Sequence, residues 1–265
     1  MKKALFWFCA FATLATQGFA EDVLLKDGNV VRGVGLRREG AFIFGRPEGG
    51  QDVLIPANTV TRIIFKESSG LRDARDGFYA GDSKAVLDNT LAEMTYHRIW
   101  VDMPGSIWPA LMRLRVPAVV ATGRPAEVTE LLKDWTATGD PEIEAAVALL
   151  KLKSSGAGVE EMTKAWNAAT EGNVGTLSAA ISWLELGNAA SEAKDWPAAI
   201  RYYVSVQVFA PTWRPLHPAA LLGAVKACIA NQQTEQAATF LDDLKTDYPR
   251  SSQAKAAEKL VKSDK

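Results

Sequence analysis

The sequence predicts a mainly α protein: a solenoid of helical hairpins preceded by a small five-stranded β-barrel. Three observations predict it. Short alternating or β-branched runs fill residues 22–66. The hydrophobic period then switches from two to 3.6 near Glu67–Gly70. Beyond that point, breaks between helical stretches recur roughly every 33 to 42 residues, the range of helical-hairpin repeats.

The chain opens with Lys2 and Lys3, an apolar stretch from Ala4 to Ala15, and small residues at Gly18 and Ala20. These are the three parts of an export signal peptide, residues 1–20. Twelve apolar residues rise only about 18 Å as a helix, short of the roughly 30 Å hydrocarbon core, so a leader fits better than a membrane anchor. Cys9 follows Phe6-Trp7-Phe8 and does not fit a lipoprotein cleavage motif. Export places the mature chain in the periplasm or outside the cell, with no transmembrane span after cleavage.

Residues 22–66 follow as five strands. Asp22–Lys26 ends at the turn pair Asp27-Gly28. Val30–Leu36 alternates, Arg37–Gly40 turns, and Ala41–Phe44 runs to the Gly49-Gly50 turn. Val53–Ile55 stops at Pro56, and Val60–Phe65 completes the set. So small a sheet must curl to bury anything. Leu25–Gly28, Gly33, Ile55-Pro56 and Val60–Phe65 resemble the Sm-like small β-barrels at the N-terminus of exported bacterial repeat proteins. Sm relatives can bind RNA, but an exported chain does not meet it.

From residue 71 to 265 the pattern is helical. Paired helices are expected near 71–80 and 83–97, 106–121 and 126–137, 142–153 and 159–170, 175–193 and 196–209, and 218–230 and 234–247. Ser251–Lys265, rich in Ala and Lys, reads as a solvating cap. In the fourth pair, Trp183, Leu186 and Gly187 match a W-x2-L-G opening, and Ala199 and Tyr203 an A-x3-F step ended by Pro211. This resembles the tetratricopeptide repeat. Ala190 and Val206 depart from it, and the fifth pair matches through Ala237, Leu241 and Pro249.

Chemistry is sparse. Without Lys2 and Lys3, 28 of the 30 basic residues face 31 acidic ones, which is no footprint for nucleic acid. Cys228 is the sole cysteine beyond the leader, and it reads as a small core residue. His97 and His217 read as surface or loop residues, and no metal, nucleophile-elbow or phosphate-loop motif occurs. No cofactor and no catalytic group is expected.

The tetratricopeptide resemblance implies a protein or peptide partner on the concave face, touched by exposed positions of each first helix. Its register marks Asn188 and Glu192 in the fourth pair, Lys226 in the fifth, and Arg75, Tyr79 and Arg113 counted from Gly81 and Gly123. The alternative is a binder of cell-envelope glycan. It would use the β-barrel or the connection tryptophans: of eight tryptophans, Trp100, Trp108 and Trp213 lie in or beside Pro/Gly-rich connections, where an indole either stacks on a sugar or braces a long inter-repeat loop.

The small residues Gly18 and Ala20 predict cleavage between Ala20 and Glu21. Intact-mass measurement of the envelope-fraction protein should give a chain beginning at Glu21; retention of residues 1–20 would overturn the export reading.

Overall fold

The computed structural model describes residues 20–46, 50–133 and 135–263. Apart from Ala20, the expected leader lies outside them, as does Gly49 of the expected Gly49-Gly50 turn. The chain forms two compact units, one comprising the residues up to Lys66 with Asp102–Ser106, the other Glu67–Val101 with Ile107–Lys265. The second unit is therefore not the uninterrupted run 71–265, because five residues within it belong to the β unit.

The β unit holds β1 (Ala20–Leu25), β2 (Val30–Glu39), β3 (Phe42–Arg46), β4 (Val53–Pro56) and β5 (Val60–Phe65). They pair antiparallel in the order β4-β3-β2-β1-β5. The long β2 serves two halves, pairing with β1 over Val30–Val34 and with β3 from Val34 to Glu39. Its register breaks between Val34 and Arg37, at Gly35, whose φ of +76° other residues adopt only at a cost. Val23, Leu36, Ile43, Ile55, Val60 and Ile63 are buried.

The expected closed barrel is corrected here: the five strands form an open sheet, with no pairing between β4 and β5. The reason lies at the outer edge of β5, which is otherwise occupied. Ile63 N–H donates to the Pro104 carbonyl at 2.9 Å. Gly105 lies so close that an added Cβ would fall 2.2 Å from the Ile63 oxygen. Asp102, at the start of the same segment, pairs with Arg38. The segment covers an edge that closure would have satisfied.

The helical unit contains α1 (Ser69–Tyr79), α2 (Ser83–His97), α3 (Trp108–Thr122), α4 (Pro125–Lys133), α5 (Pro141–Ser154) and α6 (Val159–Glu171). There follow α7 (Leu177–Glu192), α8 (Trp196–Phe209), α9 (His217–Ala230), α10 (Thr234–Asp247) and α11 (Ser252–Ser263). Side-chain caps start many of them. Ser68 accepts from Leu71 N–H at 2.9 Å, Asp82 from Ala85 at 3.0 Å, Thr176 from Ala179 at 3.2 Å and Asp195 from Ala198 at 3.1 Å. α5 adds Pro141 at its first position, Glu142 and Glu144 in the first turn, and Lys151 and Lys153 in the last, each complementing the helix dipole. None of the described helices is long and apolar enough to cross a membrane.

Packing between neighbours is clearest at Tyr203. An added Cβ at Gly187 of α7 would lie 2.6 Å from its ring, and one at Gly223 of α9 2.5 Å from it. The Tyr203 ring of α8 thus sits against the backbone of both adjoining helices, and its hydroxyl donates to Asn188 Oδ1 at 2.9 Å.

Beyond these pairwise contacts the helices turn back on themselves. Val116–Ala121 of α3 and Ala179–Leu184 of α7 are each six consecutive buried residues. Six residues exceed a full helical turn of 3.6, so neither stretch keeps a solvent face. α3 packs against α1, α2, α4, α5, α7 and α9. The first and last pairs also meet: an added Cβ at Gly81, in the α1–α2 turn, would lie 2.5 Å from the Tyr248 ring and 3.1 Å from Pro218. Gln253 of α11 donates to the Ala121 carbonyl at 3.2 Å. α11 is more than a solvating cap, because Ala254 and Ala257 pack with Leu221, Val225, Leu244 and Tyr248.

Tyr203→Ala should therefore destabilise the helical unit by about 3–5 kcal/mol in chemical denaturation, because it empties a slot bounded by backbone that cannot collapse. Gly223→Ala should cost about 1–3 kcal/mol by overpacking the same ring.

Candidate functional site

Three of the register-marked residues converge. Arg75 and Tyr79 of α1 and Arg113 of α3 border one open cavity of about 580 Å³, together with Trp213 and Arg214 from the α8–α9 connection. Leu71, Phe78 and Leu114 supply apolar wall, and Glu142 of α5 a carboxylate. Tyr79 is the most open of these, 61 % exposed.

The connection is fixed from three sides. Trp213 Nε1 donates to the Gly175 carbonyl at 3.1 Å, and its ring meets Phe78 edge-on at 6.4 Å. Arg214 Nε donates to the Tyr79 carbonyl at 2.6 Å while its guanidinium lies 4.9 Å over the Tyr248 ring. His217 Nε2 lies 3.0 Å from the Ala210 carbonyl, and Nδ1 lies 2.7 Å from the Tyr248 hydroxyl. A carbonyl only accepts, so Nε2 carries the hydrogen and a neutral Nδ1 accepts from Tyr248. Burial lowers the pKa of His217, as does the Arg214 charge, against an opposing pull from the Ala210 carbonyl.

The arginines differ in what holds them. Arg75 pairs with Glu67 at 2.7 Å. Arg113 donates Nε to Asp140 Oδ2 at 2.8 Å, pairs through Nη2 with Glu142 at 2.9 Å, and lies 5.7 Å over the Trp213 ring. Burial alone would raise the pKa of Asp140, but the Arg113 bond and charge, with the Glu142 and Ile143 N–H groups, bring it below the usual value. Glu142 also accepts from Leu177 N–H at 3.1 Å, so Arg113 ties α3 to the start of α5 and, through Glu142, to α7. Among the described residues Arg214 has no carboxylate partner, which leaves it the cation best placed to receive an incoming anion.

The other positions fall elsewhere. Asn188, Glu192 and Lys226 are exposed but do not border this cavity, and Asn188 is engaged by Tyr203. The indoles expected as open stacking surfaces are corrected: Trp100, Trp108 and Trp213 are 0 %, 2 % and 4 % exposed. Trp108 and Trp213 brace connections instead, Trp108 Nε1 donating to the Thr136 carbonyl at 3.3 Å, although the edge of each borders a cavity. The glycan reading rested on the β-barrel or on these indoles, and the indoles are not open to a sugar.

Both histidines, expected at the surface or in loops, are buried. His97 Nε2 lies 3.5 Å from Glu93 Oε2, and Ser68 Oγ donates to Glu93 Oε1 at 2.5 Å. The serine hydroxyl thus addresses the carboxylate rather than the imidazole, which is not a nucleophile–base arrangement. Among the described residues no three His, Cys, Asp or Glu are grouped to hold a metal ion.

Sequence reasoning missed Arg214 and Glu142. The repeat register counts helix positions and passes over connections; the bracketing of Trp213-Arg214 by Pro211 and Pro215 was the available signal. No family model matches the chain, and no curated protein is significantly similar to it.

The depressed His217 sets a pH dependence. Between its folded value and the unfolded value of about 6.5, the unfolded chain binds a proton that the folded chain does not. Stability should be fully present above pH ~6.5 and fall as the pH drops below it. Thermal unfolding from pH 7 to 5 should show this fall, and His217→Gln, which can still donate to Ala210, should flatten it.

Proposed function

We propose that the protein is an exported, non-catalytic interaction scaffold of the tetratricopeptide-like kind, and that a protein or peptide partner docks at the cavity beside Tyr79. The observation that carries this reading is convergence. Arg75, Tyr79 and Arg113 were marked by repeat register alone, and they border one cavity with Trp213 and Arg214. Its volume lies in the range of ligand pockets, and its wall is apolar with a few polar groups, the composition of such sites.

The repeat assignment is supported by the close approach of Tyr203 to Gly187, the contact for which the W-x2-L-G and A-x3-F positions are small and large. Export is supported by the three-part leader, and cleavage after Ala20 leaves β1 its residues Glu21–Leu25. Because Val116–Ala121 of α3 and Ala179–Leu184 of α7 keep no solvent face, a long peptide has no concave groove to follow there. The reading is a short segment seated at the cavity, an apolar side chain against Phe78 and Trp213 and an acidic group on Arg214, where a charge-assisted bond is strongest.

A photo-cross-linking amino acid at Tyr79, in intact cells, should capture one discrete protein or peptide. Arg214→Met should abolish the adduct without lowering the thermal midpoint by more than a few degrees. Adducts from Lys226 and none from Tyr79 would move the site to the α7–α9 surface and overturn the reading.

A further inference from the structure

A second cavity, of about 200 Å³, opens between α2, α3 and the α4–α5 connection. Its wall joins the apolar and polarisable Met94, Trp108, Met112, Leu131 and Trp135 to the polar Thr95, Arg98 and Glu130, the last of which pairs with Lys133 at 3.9 Å. Arg115 of α3 borders it and is only partly exposed. Its Nη1 donates to the Leu87 carbonyl at 3.2 Å and to Thr90 Oγ1 at 2.9 Å. Among the described residues, Nε and Nη2 make no hydrogen bond and no carboxylate forms an ion pair with this guanidinium.

Several other arginines are neutralised instead. Arg38, Arg46, Arg75, Arg113 and Arg124 all pair with a carboxylate. A half-buried cation without a counter-ion costs folding free energy that a bound anion would offset. Burial lowers the pKa of Arg115, with only a partial opposing pull from the charge of Glu127. The free Nε–Nη2 edge of a guanidinium matches the two oxygens of a carboxylate. The volume sets the rest of the ligand: a dry engineered cavity of about 150 Å³ holds benzene, so about 200 Å³ holds one ring and a short acid arm.

We propose that this cavity binds a small aromatic carboxylate, its ring against the indole and thioether wall and its carboxyl group on the Nε–Nη2 edge of Arg115. The same chemistry could come from a free aryl acid or from a peptide ending in an aromatic residue.

Titration calorimetry of the mature chain tests this with phenylacetate, its neutral isostere phenylacetamide, and acetyl-alanyl-phenylalanine. One of the two acids should bind saturably at one site, and phenylacetamide should bind at least ten-fold more weakly than phenylacetate if the free acid is the ligand. Binding by the dipeptide alone identifies a peptide terminus as the source and keeps the carboxylate site. Arg115→Gln should remove the preference for acid over amide. Leu91, 61 % exposed at the cavity rim, offers a variant that spares the core: Leu91→Trp should block both acids with an unchanged thermal midpoint. The proposal is overturned by absent saturation with both acids at millimolar concentration, by equal affinity for acid and amide, or by binding that Leu91→Trp leaves intact.

Discussion

α3 is surrounded by other helices, and the helical unit depends on that enclosure. Leu111, Met112 and Val116 are fully buried, and Val116–Ala121 has no solvent side at all. Burying one such side chain contributes about 1.5–3 kcal/mol, so exposing one face of α3 would forfeit several of these contributions. A stack of hairpins in which each touches only its neighbours cannot enclose a helix this way. The first and last pairs must come round to it, and the Gly81–Tyr248 approach and the Gln253–Ala121 hydrogen bond are where they do so.

Closure explains why the candidate site lies where it does. With α3 and α7 enclosed, the inner surface becomes core, and recognition is left to the rim. There the Pro211–Leu216 connection bridges the end of α8 and the start of α9, while Arg214 reaches Tyr79, 135 residues away in sequence. The arginines at this rim have two duties. Arg113 is committed to Asp140 and Glu142 and holds helices together. Among the described residues Arg214 has an aromatic face and a carbonyl but no counter-ion, so its charge remains available. Arg113, which the repeat register marked, thus serves as a structural clasp, and Arg214, which it passed over, is the candidate contact.

Much of the local structure was legible. The strand runs, the Asp27-Gly28 turn, the change of period near Glu67 and the helix breaks all follow from short-range chemistry, and the elements appear within a few residues of the positions expected. The close approach at Gly187 was readable from the pattern of small and large residues. Long-range contact was less so. Nothing local in β5 announces that residues 102–106 will cover its edge, so an open sheet was read as a closed barrel. The uninterrupted apolar run at Val116–Ala121 did carry a sign of enclosure, because an amphipathic stripe would have left polar residues within each turn, and at Ala179–Leu184 only Ser182 breaks the apolar sequence. Trp100, Trp108 and Trp213 looked exposed because they neighbour Pro and Gly, but a connection pinned by indole hydrogen bonds can be as buried as a helix.

Closure makes one direct geometric claim. Lys84 of α2 and Lys255 of α11 border the same cavity, although eight α-helices, α3 to α10, lie between them in the chain. In an extended stack, helix diameters of about 10 Å each would place them far apart. Treatment of the monomeric protein with a short amine-reactive cross-linker, followed by peptide mass mapping, should give an intramolecular Lys84–Lys255 link. Links confined to neighbouring hairpins, with Lys84 and Lys255 each modified singly, would show an open array and contradict the account.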